Sequence, residues 1–124
     1  MPVPEQFIDK TITDPQILTQ LEKDVGLETI TRLINLFIDE LVVMTTELSN
    51  AIEKNDISKI KDITHVLKNS AALYGATPLA ALATQLHDFP PIIEQENLNL
   101  ATIIQHNLNK TRHAYQVMVQ NIAI

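Results

Sequence analysis

His65, near the start of THVLKNSAALYGA (residues 64–76), is the side chain of this sequence best placed to do chemistry. On a helix of about 3.6 residues per turn, Ile60, Ile63, Thr64, Leu67, Ala71 and Tyr74 fall within about 60° of a common direction. His65 falls about 140° round from that direction, on the water side. Its neighbours one turn back and one turn on are Lys61, Asp62, Lys68, Asn69 and Ala72. An exposed imidazole beside lysines, with only the small Asn69 and Ala72 after it, suits a histidine that another protein reaches and that carries an anion. In model peptides histidine titrates near about 6.5, so at neutral pH most imidazoles are uncharged and nucleophilic.

The other reactive side chains form no comparable group. A lone histidine on a helix surface is most often a solvated side chain. His87 falls at a helix end, where a cation offsets the dipole. His106 and His113 lie two turns apart on the last helix without a carboxylate at ligand spacing. Neither HExxH nor paired Glu-x-x-His motifs occur, so no metal site is expected. Asp39 and Glu40, or Glu94 and Glu96, read as ordinary helix and turn acids rather than a catalytic pair. Two isolated glycines, Gly26 and Gly75, leave no nucleophile elbow and no phosphate-cradling loop. With no nucleotide-binding motif the chain cannot phosphorylate itself, so if His65 carries a phosphoryl group, that group comes from another protein.

The elements that must position His65 read as helices throughout. Met1 to Thr13 is an irregular arm, with Phe7 and Ile8 folded onto the body. Asp14 followed by Pro15 is a cap-and-proline start for a short helix to about Val25, with Ile17, Leu18 and Leu21 inward and Gly26 ending it. From about Glu28 to Lys54, Ile30, Leu33, Ile34, Phe37, Leu41, Met44, Leu48 and Ile52 recur at helical steps. Asn55 and Asp56 break and recap the chain, and the His65 helix runs from about Ile57 to Tyr74 before Gly75 closes it. Thr77 and Pro78 repeat the cap-and-proline start, opening a helix to about His87 with Leu79, Leu82 and Leu86 inward. Phe89-Pro90-Pro91 interrupts it. The last helix is clearest from about Leu98 to Ile122, with Leu100, Ile103, Ile104, Leu108, Tyr115 and Val119 as its apolar side; its start is open, since 92–97 can form a preliminary turn. The expected architecture is all-α: an antiparallel up-down four-helix bundle with a short additional N-terminal helix, residues 1–124 forming a single domain.

Composition excludes several classes of function. With 124 residues, 45% of them hydrophobic, the chain can bury one core. Its lack of cysteine excludes disulfides and thiol chemistry. A net charge of −6 and an aromatic share of 4% argue against nucleic acid, which needs a basic stripe or stacking platforms. No apolar run is long enough to span a membrane, and the amino terminus does not read as a signal peptide. A soluble cytoplasmic protein is expected, monomeric because it presents one exposed site.

THVLKNSAALYGA also resembles the signature of histidine-containing phosphotransfer (HPt) domains, H-x-L-K-G-S-A-x-x-x-G-A. His65, Leu67, Lys68, Ser70, Ala71, Gly75 and Ala76 match it, and Leu79 and Leu82 continue its leucine spacing. Leu21–Gly26 and Thr111–Gln116 extend the likeness over most of the chain, though only the His65 segment is specific. The resemblance implies a phosphorelay carrier without kinase activity of its own. His65 would be the phosphorylated nucleophile, Lys68 its charge partner, and Lys61, Asp62, Asn69 and Ala72 the docking surface. Gly75 would be structural. The implied partners are the receiver domain of a hybrid sensor kinase and a response regulator, in a two-component relay such as quorum sensing. No cofactor would be intrinsic, since the Mg²⁺ sits on the partner receiver. Two positions depart from the pattern: Asn69 replaces the usual glycine, as in one branch of the family, and Thr84 stands where an acidic residue is frequent. A helical adaptor that binds receivers or kinases without carrying phosphate is the other reading the residues allow.

Overall fold

The computed structural model describes residues 4–88 and 95–122, with residues 95–99 described by their backbone alone. Among the described residues five α-helices follow a short 3-10 turn at Glu5–Phe7: α1 Pro15–Val25, α2 Leu27–Glu53, α3 Ile57–Leu73, α4 Thr77–Asp88 and α5 Gln95–Gln120. Among the described residues there is no strand. The Phe89-Pro90-Pro91 interruption lies outside the described residues.

Local chemistry places most of the helix ends. The Asp14 carboxylate accepts from Gln16 N at 3.0 Å, and Pro15 begins α1. Gly26, at φ +87°, closes α1 through its own N–H to Glu22 O (2.8 Å) and starts α2 by accepting from Ile30 N (2.9 Å). Asn55 turns the chain at φ +55°, and Asp56 caps α3 by accepting from Lys59 N at 3.1 Å. One cap differs from the sequence reading. Ala76 O accepts from Ala80 N (3.0 Å), so Thr77 is the first residue of α4 rather than its cap. Pro78 then sits in the first turn, where no N–H is needed. α5 likewise begins at Gln95, earlier than Leu98.

The core is drawn from every helix and from the arm. Ile8 and Ile12 are buried, so the arm is pinned by its apolar side chains. In α2 the buried set is Ile30, Ile34, Phe37, Ile38, Leu41, Met44, Leu48 and Ala51. Phe37 stacks on Tyr74 with centroids 4.5 Å apart and meets Tyr115 edge-on at 5.0 Å. Each such pair is worth about 0.5–1.5 kcal/mol beyond its area. In α5 the buried stripe is Ala101, Ile104, Leu108, Thr111, Tyr115 and Met118, alternating steps of three and four. That stripe corrects the expectation for Ile103, which stands one residue beside it and is 53% exposed. One step along a helix turns a side chain about 100°, and here that carries it off the buried face.

α3, the helix bearing His65, packs most extensively on α4 and also on α2. Its buried side is Ile60, Ile63, Thr64, Leu67 and Ala71. The α3–α4 connection is tight: Tyr74 N bonds to Ser70 O and Ala76 N to Ala71 O at 2.8 Å, with Gly75 between them at φ +81°.

Candidate functional site

Burial of Ile60, Ile63, Thr64 and Leu67 fixes the rotation of α3, and that rotation puts His65 in water. Lys61, Asp62, Asn69 and Ala72 are exposed beside it, and Lys68, one turn on, is half-buried. A half-buried lysine lays its aliphatic stem along the protein while its ammonium reaches water, which restricts where the charge can go. Val66 and Leu73, at 47% and 52% exposure, add apolar surface to the same helix. The site is a convex helix face. Cavities of about 460 and 330 Å³ lie along the arm, against α1 and α5 respectively, and one of about 320 Å³ between α1 and α3 takes in Ala72 and Leu73; none of the three is lined by His65. Such a face suits a macromolecular partner better than a small substrate.

Two contacts fasten α3 behind the histidine. Ser70 Oγ donates to Glu40 Oε1 on α2 at 2.6 Å. Tyr115 on α5 donates its hydroxyl to Tyr74 O at 2.7 Å, in the core. Burial pushes the phenol of Tyr115 well above the ordinary range, with the Thr13 hydroxyl acting the other way. Burial also raises the Tyr74 phenol, and the nearby Glu40 charge adds to the rise. Gly75 stands farther along the same helix hairpin. A Cβ there would meet Asp14 O at 2.9 Å and Ile17 Cβ at 3.3 Å, while Gly75 O accepts from Asp14 N at 2.8 Å. The start of α1 therefore rests directly on the turn that ends α3.

The fold also brings up a residue that the sequence reading set aside. His87, in the last turn of α4, lies with its ring centroid 6.1 Å from that of His65. The α3–α4 hairpin explains the meeting: counted from Gly75, His65 is ten residues back and His87 twelve residues on. Similar distances from a tight helical turn, ten residues and twelve, are the signal that would have paired the two histidines. His106 and His113 are exposed on α5. Among the described residues, no three of the histidines and acids gather closely enough to hold a metal ion, and no helix is long and apolar enough to cross a membrane.

The Hpt domain profile matches residues 32–116, a span holding α3, α4 and most of α2 and α5. The chain belongs to the Hpt domain family. Phosphorelay protein LuxU of Vibrio cholerae is 30% identical over 96 residues, covering 77% of this chain and 83% of that protein. LuxU of Vibrio vulnificus is 30% identical over 69 residues, 56% of this chain and 60% of that protein. Among solved structures, histidine-containing phosphotransfer protein B (HptB) of Pseudomonas aeruginosa superposes with a TM-score of 0.79, covering 90% of this chain and 96% of that one. At 17% identity it speaks for the fold alone. As an Hpt protein the chain is a histidine phosphotransfer carrier of a phosphorelay, a family whose members meet receiver domains and response regulators.

Proposed function

We propose that His65 accepts a phosphoryl group from an aspartate on the receiver domain of a sensor kinase and passes it to an aspartate of a response regulator. The observation that carries this reading is the exposed imidazole on a convex face of α3, with a lysine one turn on, in a chain of the Hpt family. In the accepting step the lone pair of His65 Nε2 forms the N–P bond while the P–O bond to the receiver aspartate breaks. The carboxylate leaves with that electron pair, and the proton on Nδ1 stays with the ring or passes to water. The reverse bond changes deliver the group to the second aspartate. Mg²⁺ on the receiver would neutralise most of the charge, and catalysis would be chiefly positioning.

The remaining residues take roles from their placement. Lys68 follows the phosphoryl oxygens from one turn on, and Lys61 from one turn back. Asp62, Asn69 and Ala72 form the docking ground, where small side chains let a partner's backbone come close. Gly75 serves the fold. The short turns at residues 54–56 and 74–76 support an antiparallel up-down course for α2 to α4. The likeness to LuxU supports a place in quorum sensing, with the protein working as a cytoplasmic monomer.

The test is transfer from a phosphorylated receiver domain to the purified protein and to its His65→Ala variant. An acid-labile, alkali-stable label on the wild type alone is expected. Binding of receivers without any label would favour the non-carrying adaptor and make Asn69→Gly the first variant to try.

A further inference from the structure

The pairing of His65 with His87 is unexplained by a carrier that needs one imidazole and a lysine. His87 Nδ1 lies 3.3 Å from Asp88 Oδ1, and its other ring nitrogen makes no hydrogen bond to the described residues. The His87 side chain is 36% exposed, and its ring is tilted 45° to that of His65. The rings do not bond to each other, and with centroids 6.1 Å apart a phosphoryl group on one is within reach of the other. When Nδ1–H is turned to the Asp88 carboxylate, the neutral ring presents a bare Nε2 and cannot donate outward. Only the imidazolium donates from both nitrogens at once.

We propose that His87 is a second phosphoryl-binding residue: it takes up a proton when His65 is phosphorylated and holds the phosphoryl group through Nε2–H, with Asp88 orienting the ring. The inference rests on the phosphohistidine reading above. The titratable groups shown beside His87 are His65 on α3 and Asp88 on α4, and the charged residues within one turn of His65 on α3 are Lys61, Asp62 and Lys68. From α5, also packed on α4, no ion pair or hydrogen bond reaches His87 among the described residues. A dianionic phosphoryl group favours the protonated form of a histidine beside it, and the linkage is reciprocal. The protonated ring therefore steadies the phosphorylated state, an advantage present at the acid end of the histidine range and lost as pH rises through it.

The test uses the full chain phosphorylated chemically with potassium phosphoramidate, so it proceeds whether or not any receiver delivers the group. Refusal by every receiver defeats the relay reading alone. Ring nitrogens are followed by NMR of the ¹⁵N-labelled protein. The His87 midpoint should rise by about one unit on phosphorylation, as expected for a double charge a few ångströms away in water. The rise should shrink in Asp88→Asn. His87→Phe, which keeps a ring of similar bulk without a donor, should shorten the phosphohistidine half-life about two- to fivefold at pH 6, the scale of a partly exposed charge contact. His87→Gln should recover part of that lifetime, and the wild type's lead over it should fade as the pH rises to 8.5. A packing role moves neither the midpoint nor the pH profile. An unmoved His87 midpoint, a His87→Phe half-life equal to that of the wild type, or a chemical label that passes over His65 overturns the proposal.

Discussion

Replacing Gly75 by alanine separates two costs that glycines usually combine, because Gly26 provides an internal control. Both glycines have positive φ, +81° and +87°, but Gly26, at ψ 163°, lies in an extended region that is essentially glycine-only, so an L side chain is disfavoured by about 1–2 kcal/mol at Gly75 and about 1–3 kcal/mol at Gly26. Each Gly→Ala change also restricts the unfolded chain, returning about 0.4–1 kcal/mol. Gly26 has nothing within 4 Å of its missing Cβ, so Gly26→Ala should cost about 0.5–2 kcal/mol in all, every part of it backbone strain. At Gly75 the new carbon meets Asp14 O at 2.9 Å, and that carbonyl is backbone, unable to swing aside. Relief requires the start of α1 to back away, straining the 2.8 Å bond from Asp14 N to Gly75 O and the contact with Ile17. Overpacking of this kind costs about 1–3 kcal/mol more, giving about 2–4 kcal/mol in total. With a urea dependence of about 1–3 kcal/mol per molar, the midpoint should fall by about 1–2 M for Gly75→Ala and by less, under about 1 M, for Gly26→Ala. Equal shifts in the two variants would refute the close-approach argument. Lost phosphotransfer in a Gly75→Ala protein of unchanged stability would refute the structural role.

Further outcomes follow from the same contacts. Lys68→Ala should slow transfer only about 1.4- to fivefold, the scale of an exposed charge pair at about 0.2–1 kcal/mol, and stopped-flow transfer from a labelled receiver measures it. Ser70→Ala removes the bond to Glu40 and should lower stability by about 1 kcal/mol in urea titration, with transfer kept. Tyr115→Phe leaves the buried Tyr74 carbonyl without its donor and should cost about 1–3 kcal/mol. Because the Tyr115 phenol is raised above its ordinary 10.0, the folded protein holds its proton longer than the unfolded chain does. Its contribution is complete below pH 10.0 and is lost as the pH climbs beyond. Phenolate absorbance should therefore appear together with unfolding, and Tyr115→Phe should flatten the alkaline loss of stability.

Much of the helical framework was legible along the chain. The apolar steps through α2 and the caps at Asp14 and Asp56 are local signals, and the helices begin where those residues put them. The water-facing place of His65 follows from the same periodicity, since burying Ile60, Ile63 and Leu67 turns residue 65 outward whatever covers them. Thr77 and Ile103 mark where that reasoning thins. A proline in the first turn does not say which residue caps it, and a stripe drawn one residue too wide takes in a neighbour that the packing leaves exposed.

What residues 57–73 determine by themselves is a helix with a wet histidine on it, because 3.6-residue periodicity fixes directions about the helix's own axis. They do not say what stands across the way. The tertiary structure decided that His87 faces His65, that Glu40 bonds Ser70, that Tyr115 caps the Tyr74 carbonyl, and that Gly75 lies under the start of α1. Each of these joins residues on different elements, and their meeting depends on turn geometry and helix packing, which no single periodicity encodes.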